Sequence, residues 1–434
     1  MFLLLKGDLE GRFDAQYYAE NLDLTGFEKL RKFINVKGGK RLPKGSYYSS
    51  EVTDYQYLRV DSINDFGGVD ESSFKFISEE IFSILQNYQL QNNDLIISIA
   101  GTIGKVALID NLKNETILTE NCAKLQIKKG IQLLPQYLYL LLNTSNAKRQ
   151  ISQSYIQTTI PKLGLERIYN LKIPHIPSPE IQKEIITFFE QAYDTKKANE
   201  AQAKALLASI DSYLLEELGI TLPEQQENSL NNRVFIRNIN EVSGGRFDAF
   251  YFKTDNSIIK GGTFLNHKLK SIAKISKGQS ITKENVVEGK YPVIAGGQSS
   301  PYSHNEYNHL GNIITISASG AYSGFVWYHD YPIFASDCCV IQSKSESDLK
   351  TIFLTEILKL KQKEIYDLQQ GSGQPHVYAS DLAELQIPLP PFEIQEKIVS
   401  EITKRRKQAQ SLQAQAKAVL EQAKTEVERM ILGL

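Results

Sequence analysis

The sequence predicts a mixed α/β chain that contains one unit twice, each unit a globular stretch followed by a long helix. Three observations predict it. Short motifs recur in the same order, their offset drifting from 234 residues at the start to about 214 later. Two stretches of about 40 residues carry seam residues at alternating three- and four-residue steps. Between them, apolar runs end in glycine-containing turns, the pattern of buried strands.

The repeat is read first. Gly11-Arg12-Phe13-Asp14-Ala15-Gln16-Tyr17-Tyr18 returns as Gly245-Arg246-Phe247-Asp248-Ala249-Phe250-Tyr251-Phe252. Asn170-Leu171-Lys172-Ile173-Pro174 returns as Glu384-Leu385-Gln386-Ile387-Pro388, and Ile181-Gln182-Lys183-Glu184-Ile185 as Ile394-Gln395-Glu396-Lys397-Ile398. Ala201-Gln202-Ala203-Lys204-Ala205 is repeated without change from Ala414. The offset is 214 from Pro174 to Pro388 and 213 from Ile181 to Ile394 and from Ala201 to Ala414. Ser98-Ile99-Ala100-Gly101 aligns with Ser317-Ala318-Ser319-Gly320, and Cys122 with Cys338. A common frame with diverged globular stretches suggests one scaffold presenting two binding surfaces; duplication with neutral drift is the simpler account.

Ser178-Pro179-Glu180 and Pro391-Phe392-Glu393 open the two helices, since proline suits a first turn and glutamate the helix N-terminus. The second carries a seam at Ile398, Ile402, Arg405, Ala409, Leu412, Ala416, Val419, Ala423, Val427 and Met430. The first carries Ile185, Phe189, Ala192, Lys196, Asn199, Ala203, Leu206, Ile210 and Leu214. This is a coiled-coil stripe, interrupted by Lys196, Asn199 and Arg405, which can fix register. At 1.5 Å per residue each rod is roughly 60 Å long. The alternative is that each helix packs only on its own globular stretch. Leu95-Ile96-Ile97-Ser98-Ile99 and Asn312-Ile313-Ile314-Thr315-Ile316 are the expected strands, ending in turns at 101–104 and 320–324.

Composition is that of an ordinary globular chain of 434 residues, 41% hydrophobic and 23% charged, with net charge −1. There is no run of about 18 apolar residues to span a membrane, and the opening residues lack a basic region before their apolar patch. Three unpatterned cysteines argue for a reducing compartment, the cytoplasm. Charge is localised instead. Lys29, Arg31, Lys32, Lys37, Lys40, Arg41 and Lys44 fall between positions 29 and 50 with no acid among them, interleaved with Gly, Pro, Tyr47 and Tyr48. This reads as a loop that can approach DNA, its cations neutralising phosphates and arginine forking onto guanine. Lys268–Tyr302 is a milder counterpart, with six lysines, two glutamates and the polar run Ile294-Ala295-Gly296-Gly297-Gln298-Ser299-Ser300. By itself a basic loop is often only a solvated face.

No catalytic site is visible. Gly104-Lys105 lacks the rest of a phosphate-binding loop, and Gly371-Ser372-Gly373 has no strand–helix context. Leu389-Pro390-Pro391-Phe392 has the tail of an amino-methyltransferase motif but leucine at the catalytic position, and the repeat explains it as a strand-to-helix junction. The six histidines and three cysteines show no metal-ligand spacing.

The paired Arg-Phe-Asp-Ala-x-Tyr segments and the Pro-x-x-x-Ile-Gln-x-x-Ile helix starts resemble the specificity subunits of Type I restriction-modification systems. Tyr57-Leu58-Arg59-Val60-Asp61-Ser62-Ile63 and Gly101-Thr102-Ile103-Gly104-Lys105-Val106 are similar to that family's strand and turn. The second module departs from both at Tyr291-Pro292-Val293-Ile294 and Gly320-Ala321-Tyr322-Ser323-Gly324-Phe325. The resemblance covers essentially the whole chain. It implies two α/β target recognition domains separated by two long antiparallel coiled-coil helices, an internal pseudo-twofold repeat. The expected boundaries are a conserved segment at 1–18, domains at 19–177 and 253–390, helices at 178–220 and 391–434, and a linker with the second Arg-Phe-Asp motif at 221–252. Each domain is expected to read one half of a bipartite, asymmetric double-stranded DNA site. Two methyltransferase subunits are expected to dock, and restriction-translocase subunits can join them. The chain itself is expected to be non-catalytic and to hold no cofactor; S-adenosylmethionine, ATP and Mg belong to those partners. The expected contacts are Lys37, Lys40, Arg41, Lys44, Tyr47, Arg59 and Lys105 in the first module. In the second they are Lys277, Gln279, Lys283, Gln298, Ser299 and Gln374. A subunit serving only a methyltransferase is the nearest alternative. A coiled-coil scaffold with two modules for ligands other than DNA is the alternative from another class, separable by weak salt dependence of binding. A cryptic hydrolase would need a site the sequence does not display.

Overall fold

The computed structural model describes residues 24–64, 67–154, 162–222, 236, 238, 262–300, 302–371 and 373–433. Both Arg-Phe-Asp segments, and the 221–252 linker apart from 221, 222, 236 and 238, lie outside the described residues. The chain forms two compact units, residues 1–199 with 414–434, and residues 200–413.

In the first unit the strands are β1 (Glu28–Lys29), β2 (Ile34–Gly38), β3 (Tyr55–Leu58), β4 (Lys75–Phe76), β5 (Leu95–Ser98), β6 (Val106–Leu108), β7 (Glu115–Leu118), β8 (Cys122–Ile127) and β9 (Lys172–Ile173). One sheet has the order β2-β8-β5-β6, antiparallel throughout. A second has the order β4-β3-β7, in which β3 and β7 run parallel. Helices α1 (Glu79–Leu85), α2 (Pro135–Leu142), α3 (Ser145–Ser154) and α4 (Leu165–Tyr169) complete the globular part. The unbroken apolar run of β5 has a physical cause. Side chains alternate across a strand, and Leu95 and Ile97 enter one core cluster while Ile96 enters another. Both faces are therefore covered.

The expectation of one basic loop over 29–50 is corrected by the structure. Leu30, Phe33 and Ile34 are buried, which pulls the first half into β1, a short 3-10 turn and β2. Arg31 there pairs with Glu166, and Lys32 with Glu28. Only residues 39–50 form the loop, apart from a bridge at Ser49.

The long helix α5 spans Pro179–Leu218. Gln182 at its start is fully buried. Its Oε1 accepts from the Leu134 N–H at the entry to α2 (2.8 Å), and its Nε2 donates to the carbonyls of Gln132 and Pro177 (2.8 Å each).

In the second unit the strands are β10 (Asn266–Lys268), β11 (Ala273–Lys277), β12 (Tyr291–Ile294), β13 (Tyr302–His304), β14 (Ile313–Ser317), β15 (Val326–His329), β16 (Phe334–Ala335), β17 (Cys338–Ser343) and β18 (Gln386–Pro388). Helices α6 (Leu269–Ile272), α7 (Thr351–Leu360), α8 (Gln362–Asp367), α9 (Ala379–Ala383) and α10 (Phe392–Leu432) accompany them. The sheets have the orders β11-β17-β14-β15 and β13-β12-β16, with β12 and β16 parallel. This repeats the first unit strand for strand. Gln395 repeats Gln182: its Oε1 accepts from Lys350 N–H (2.9 Å) and its Nε2 donates to the carbonyls of Asp348 (2.8 Å) and Pro390 (3.0 Å).

Within this unit the two long helices run antiparallel. Lys397 pairs with Glu217 (2.8 Å), and Arg405 Nη1 donates to the Ser209 carbonyl (2.9 Å), so numbers rise along one helix as they fall along the other. The seam is buried at Ala203, Ile210, Leu214, Ile398, Ile402 and Ala409. In the first unit Ile185 and Ile186 share a core cluster with Val427 and Ile431. Lys196, a polar interruption of the stripe, is buried.

Candidate nucleic-acid interface

Strand register brings the ends of four strands together in the first module. Gly38, Leu58, Ser98 and Leu118 end β2, β3, β5 and β7, and residues 119–121 turn from β7 into β8. Ser98 lies opposite Cys122, Gly38 opposite Ala123, and Leu58 opposite Leu118. The chain leaving β2 crosses this corner at Gly39, whose N–H donates to the Cys122 carbonyl (2.9 Å), and at Lys40, whose N–H donates to the Leu118 carbonyl (3.0 Å). A Cβ on Gly39 would lie 2.0 Å from the Thr119 carbonyl oxygen, so glycine is required by the close approach.

The second module builds the same corner. Gly278 N–H donates to the Cys338 carbonyl (2.8 Å) and Gln279 N–H to the Ala335 carbonyl (2.9 Å); a Cβ on Gly278 would lie 2.1 Å from the Ser336 carbonyl oxygen. Lys40 and Gln279 therefore occupy equivalent places, as do Glu120 and Asp337, each following a hydroxyl residue. The turns after β5 and β14 correspond as well: Gly104 N–H donates to the Ser98 carbonyl (2.9 Å) and Gly324 N–H to the Ser317 carbonyl (2.8 Å).

The expected first-module contacts divide by environment. Arg41 is 80% exposed along its side chain, and its Nε donates to Glu120 Oε1 (2.7 Å). Glu120 Oε2 accepts from Thr119 Oγ1 (3.0 Å) and shares the single proton of the Tyr57 hydroxyl (3.1 Å) with the Lys40 carbonyl (2.7 Å). Burial opposes the Glu120 charge, but the hydrogen bonds from Arg41, its own backbone and Thr119 outweigh it and hold its carboxyl below the usual range. Lys40, Lys44 and Tyr47 are exposed on the same loop. Lys37 is exposed but already partnered: its ammonium donates to the Asn87 carbonyl (2.6 Å) and lies 5.1 Å from the Tyr88 ring centre. Arg59 pairs with Asp61 at 3.2 Å. Lys105 lines a cleft of about 400 Å³ with Asn64, Gly104, Asn143, Lys148 and Ser152. Lys148 was not singled out from the sequence; burial and nearby Lys424 lower its pKa, against Glu421 and Glu428.

In the second module Lys277 ends β11, and Lys283 sits 6.0 Å from the Tyr302 ring centre. Gln298 and Ser299 are exposed on the loop between β12 and β13. That loop lies over the turn after β14, because a Cβ on Gly296 would be 2.5 Å from the Ser319 carbonyl oxygen. Gln374 is exposed beside Pro375, whose carbonyl accepts from Gly320 N–H (3.0 Å) on the same turn. The corner acid Asp337 accepts from the Ser319 hydroxyl. Sequence reading missed Glu120 and Asp337. The shared signal is faint: a hydroxyl residue followed by an acid just before an aligned cysteine.

Among the described residues, no group of three or more His, Cys, Asp or Glu could hold a metal ion, and no helix is long and apolar enough to cross a membrane.

Two stretches, residues 26–209 and 262–422, match the family described as Type I restriction modification DNA specificity domain. The chain belongs to that family. A Mycoplasma pneumoniae protein described as a type I specificity subunit is 30% identical over 137 residues, 30% of this chain and 37% of that protein. The EcoBI specificity subunit of the Type I restriction enzyme of Escherichia coli is 27% identical over 157 residues, 36% of this chain and 32% of that protein. The alignments thus span about a third of these curated relatives. A solved structure concerned with complex assembly and conformational transition of the type I R-M system has a TM-score of 0.57 at 16% identity, covering 93% of this chain and 97% of that one. It shares the fold. For a Type I specificity-domain chain, the doubled match agrees with the doubled topology.

Proposed function

We infer that this chain is the DNA sequence-recognition subunit of a Type I restriction-modification complex, each module reading one half of a bipartite asymmetric site. The observation that carries this reading is the shared corner. One backbone frame, repeated strand for strand, presents Lys40, Arg41, Lys44 and Tyr47 in one module and Gln279, Gln298, Ser299 and Gln374 in the other. Frames held constant with side chains varied suit two different base sequences, because side-chain contacts to base edges carry sequence information whereas contacts to phosphates do not. The chain acts without catalysis of its own. Two methyltransferase subunits bind it in the cytoplasm and supply the S-adenosylmethionine chemistry, and restriction subunits with ATP and Mg can join. Methylome sequencing of a methylation-free host tests this. Co-expression with the neighbouring methyltransferase should produce a new two-part adenine motif that the methyltransferase alone does not. A soluble complex that yields no such motif, with DNA binding insensitive to salt, would favour a scaffold.

A further inference from the structure

We propose that Arg41 is a guanine-reading residue of the first half-site, that Glu120 and Tyr57 are its positioning residues, and that the equivalent corner of the second module lacks this reader. The inference rests on the DNA-recognition reading above and names which side chain carries specificity.

An exposed arginine ordinarily samples many rotamers, and fixing it costs entropy at binding. Here Arg41 Nε is committed to Glu120 (2.7 Å) while the side chain remains 80% exposed. A guanidinium held through Nε keeps its end-on pair, Nη1 and Nη2, for a second partner. Two parallel donors in that spacing match the O6 and N7 acceptors of guanine in the major groove. Glu120 is itself held, by Thr119 Oγ1 (3.0 Å) and the Tyr57 hydroxyl (3.1 Å). Tyr57 is buried against Ile77 and Ile117 in the core below and also clamps the Lys40 carbonyl (2.7 Å), the residue before Arg41. The reader thus connects through one carboxylate and one phenol to the packed core. Lys37 and Arg59 lack this combination, the first donating to the Asn87 carbonyl and the second paired with its near neighbour Asp61.

The second module tests the logic internally. Backbone bonds equate Lys40 with Gln279, so Ser280 stands where Arg41 does, and the corner acid Asp337 takes the Ser319 hydroxyl instead. The same backbone corner therefore offers no arginine fork there.

The test uses the chain in complex with its methyltransferase partner, and measures methylation or competition binding on DNA libraries randomised in each half-site. The wild-type complex should require a guanine at one position of one half-site. Arg41→Ala should relax that position alone, lowering discrimination roughly 10- to 100-fold, the scale of a good bidentate contact, while the other half-site is unchanged. Arg41→Lys should not restore it, since a point charge lacks the fork. Glu120→Gln keeps shape and removes charge. It should lower discrimination at the same position with only a small fall in the unfolding midpoint, and affinity for unrelated DNA should hold or rise because an acid has left the surface. A purely structural Glu120 would not move a single base preference in that way. Arg41→Ala that weakens all sequences equally, or shifts no position, overturns the proposal and makes Arg41 a phosphate contact or a bystander. A wild-type complex with no two-part motif at all would instead remove the underlying recognition reading, and this inference with it.

Discussion

Gln182 and Gln395 show what a repeated residue can be for. Each is fully buried, and each satisfies one backbone N–H and two backbone carbonyls where a long helix meets the globular part. Replacing Gln395 by leucine would leave those groups without partners in a dry site. The expected loss is about 2–4 kcal/mol in denaturant unfolding of the second unit; a change below 0.5 kcal/mol would show that water reaches the site. His329 makes a second residue-scale case. Its Nε2 lies 2.8 Å from Thr315 Oγ1, its Nδ1 is buried without a hydrogen-bond partner among the described residues, and burial pulls its pKa down to about 4. A histidine held neutral by the fold has full stability above its unfolded pKa near 6.5, and loses it as the pH falls from there towards 4, because the unfolded chain takes up the proton first. The penalty is on the order of 3 kcal/mol when complete. His329→Leu should flatten the fall in stability between pH 6.5 and 4.5 relative to wild type, read from urea midpoints. The same slope in both proteins would place the acid sensitivity elsewhere.

At the scale of elements, the crossing after β2 and the helix seam each depend on the absence of side-chain bulk. Gly39→Ala places a methyl 2.0 Å from the Thr119 carbonyl oxygen, so the strand exit must shift and carry Lys40 and Arg41 with it. First-half-site discrimination should fall at several positions, in contrast to the single position expected for Arg41→Ala; an unchanged motif would mean the corner does not set the reader. On the seam, Ala203 is wholly buried in the second unit, where the helices pair antiparallel. Ala203→Leu overpacks that contact and should cost about 1–3 kcal/mol, measured by thermal unfolding.

For the whole molecule the formal charge of −1 hides the useful distribution. Each phosphate contact contributes about −0.9 to the slope of log affinity against log salt. Lys44→Ala should therefore reduce the magnitude of the slope by about one, without changing sequence preference. A changed preference with an intact slope would move Lys44 from phosphate to base. Exposed Lys40, Lys44 and Tyr47 were legible as candidates because charge and glycine cluster in the sequence. The hydrogen bond from Lys37 to the Asn87 carbonyl was not, since Asn87 is 50 residues away.

The repeat, the two long helices and the buried strands at Leu95 and Ile313 could be read from the chain itself, because each leaves a pattern along it: similar motifs recurring in one order, a three-four seam, and apolar runs closed by glycine. Tertiary structure alone decided how the strands order into two sheets per module, with β3 beside β7 and β12 beside β16. It also decided that the turns holding Glu120 and Asp337 become the corner beneath the two presented surfaces. Those pairings join segments tens of residues apart through backbone hydrogen bonds, which carry no residue identity and so leave no local mark in the sequence. The same cause explains why Arg41 was a candidate among seven basic residues, and only the fold set Glu120 and Tyr57 beneath it.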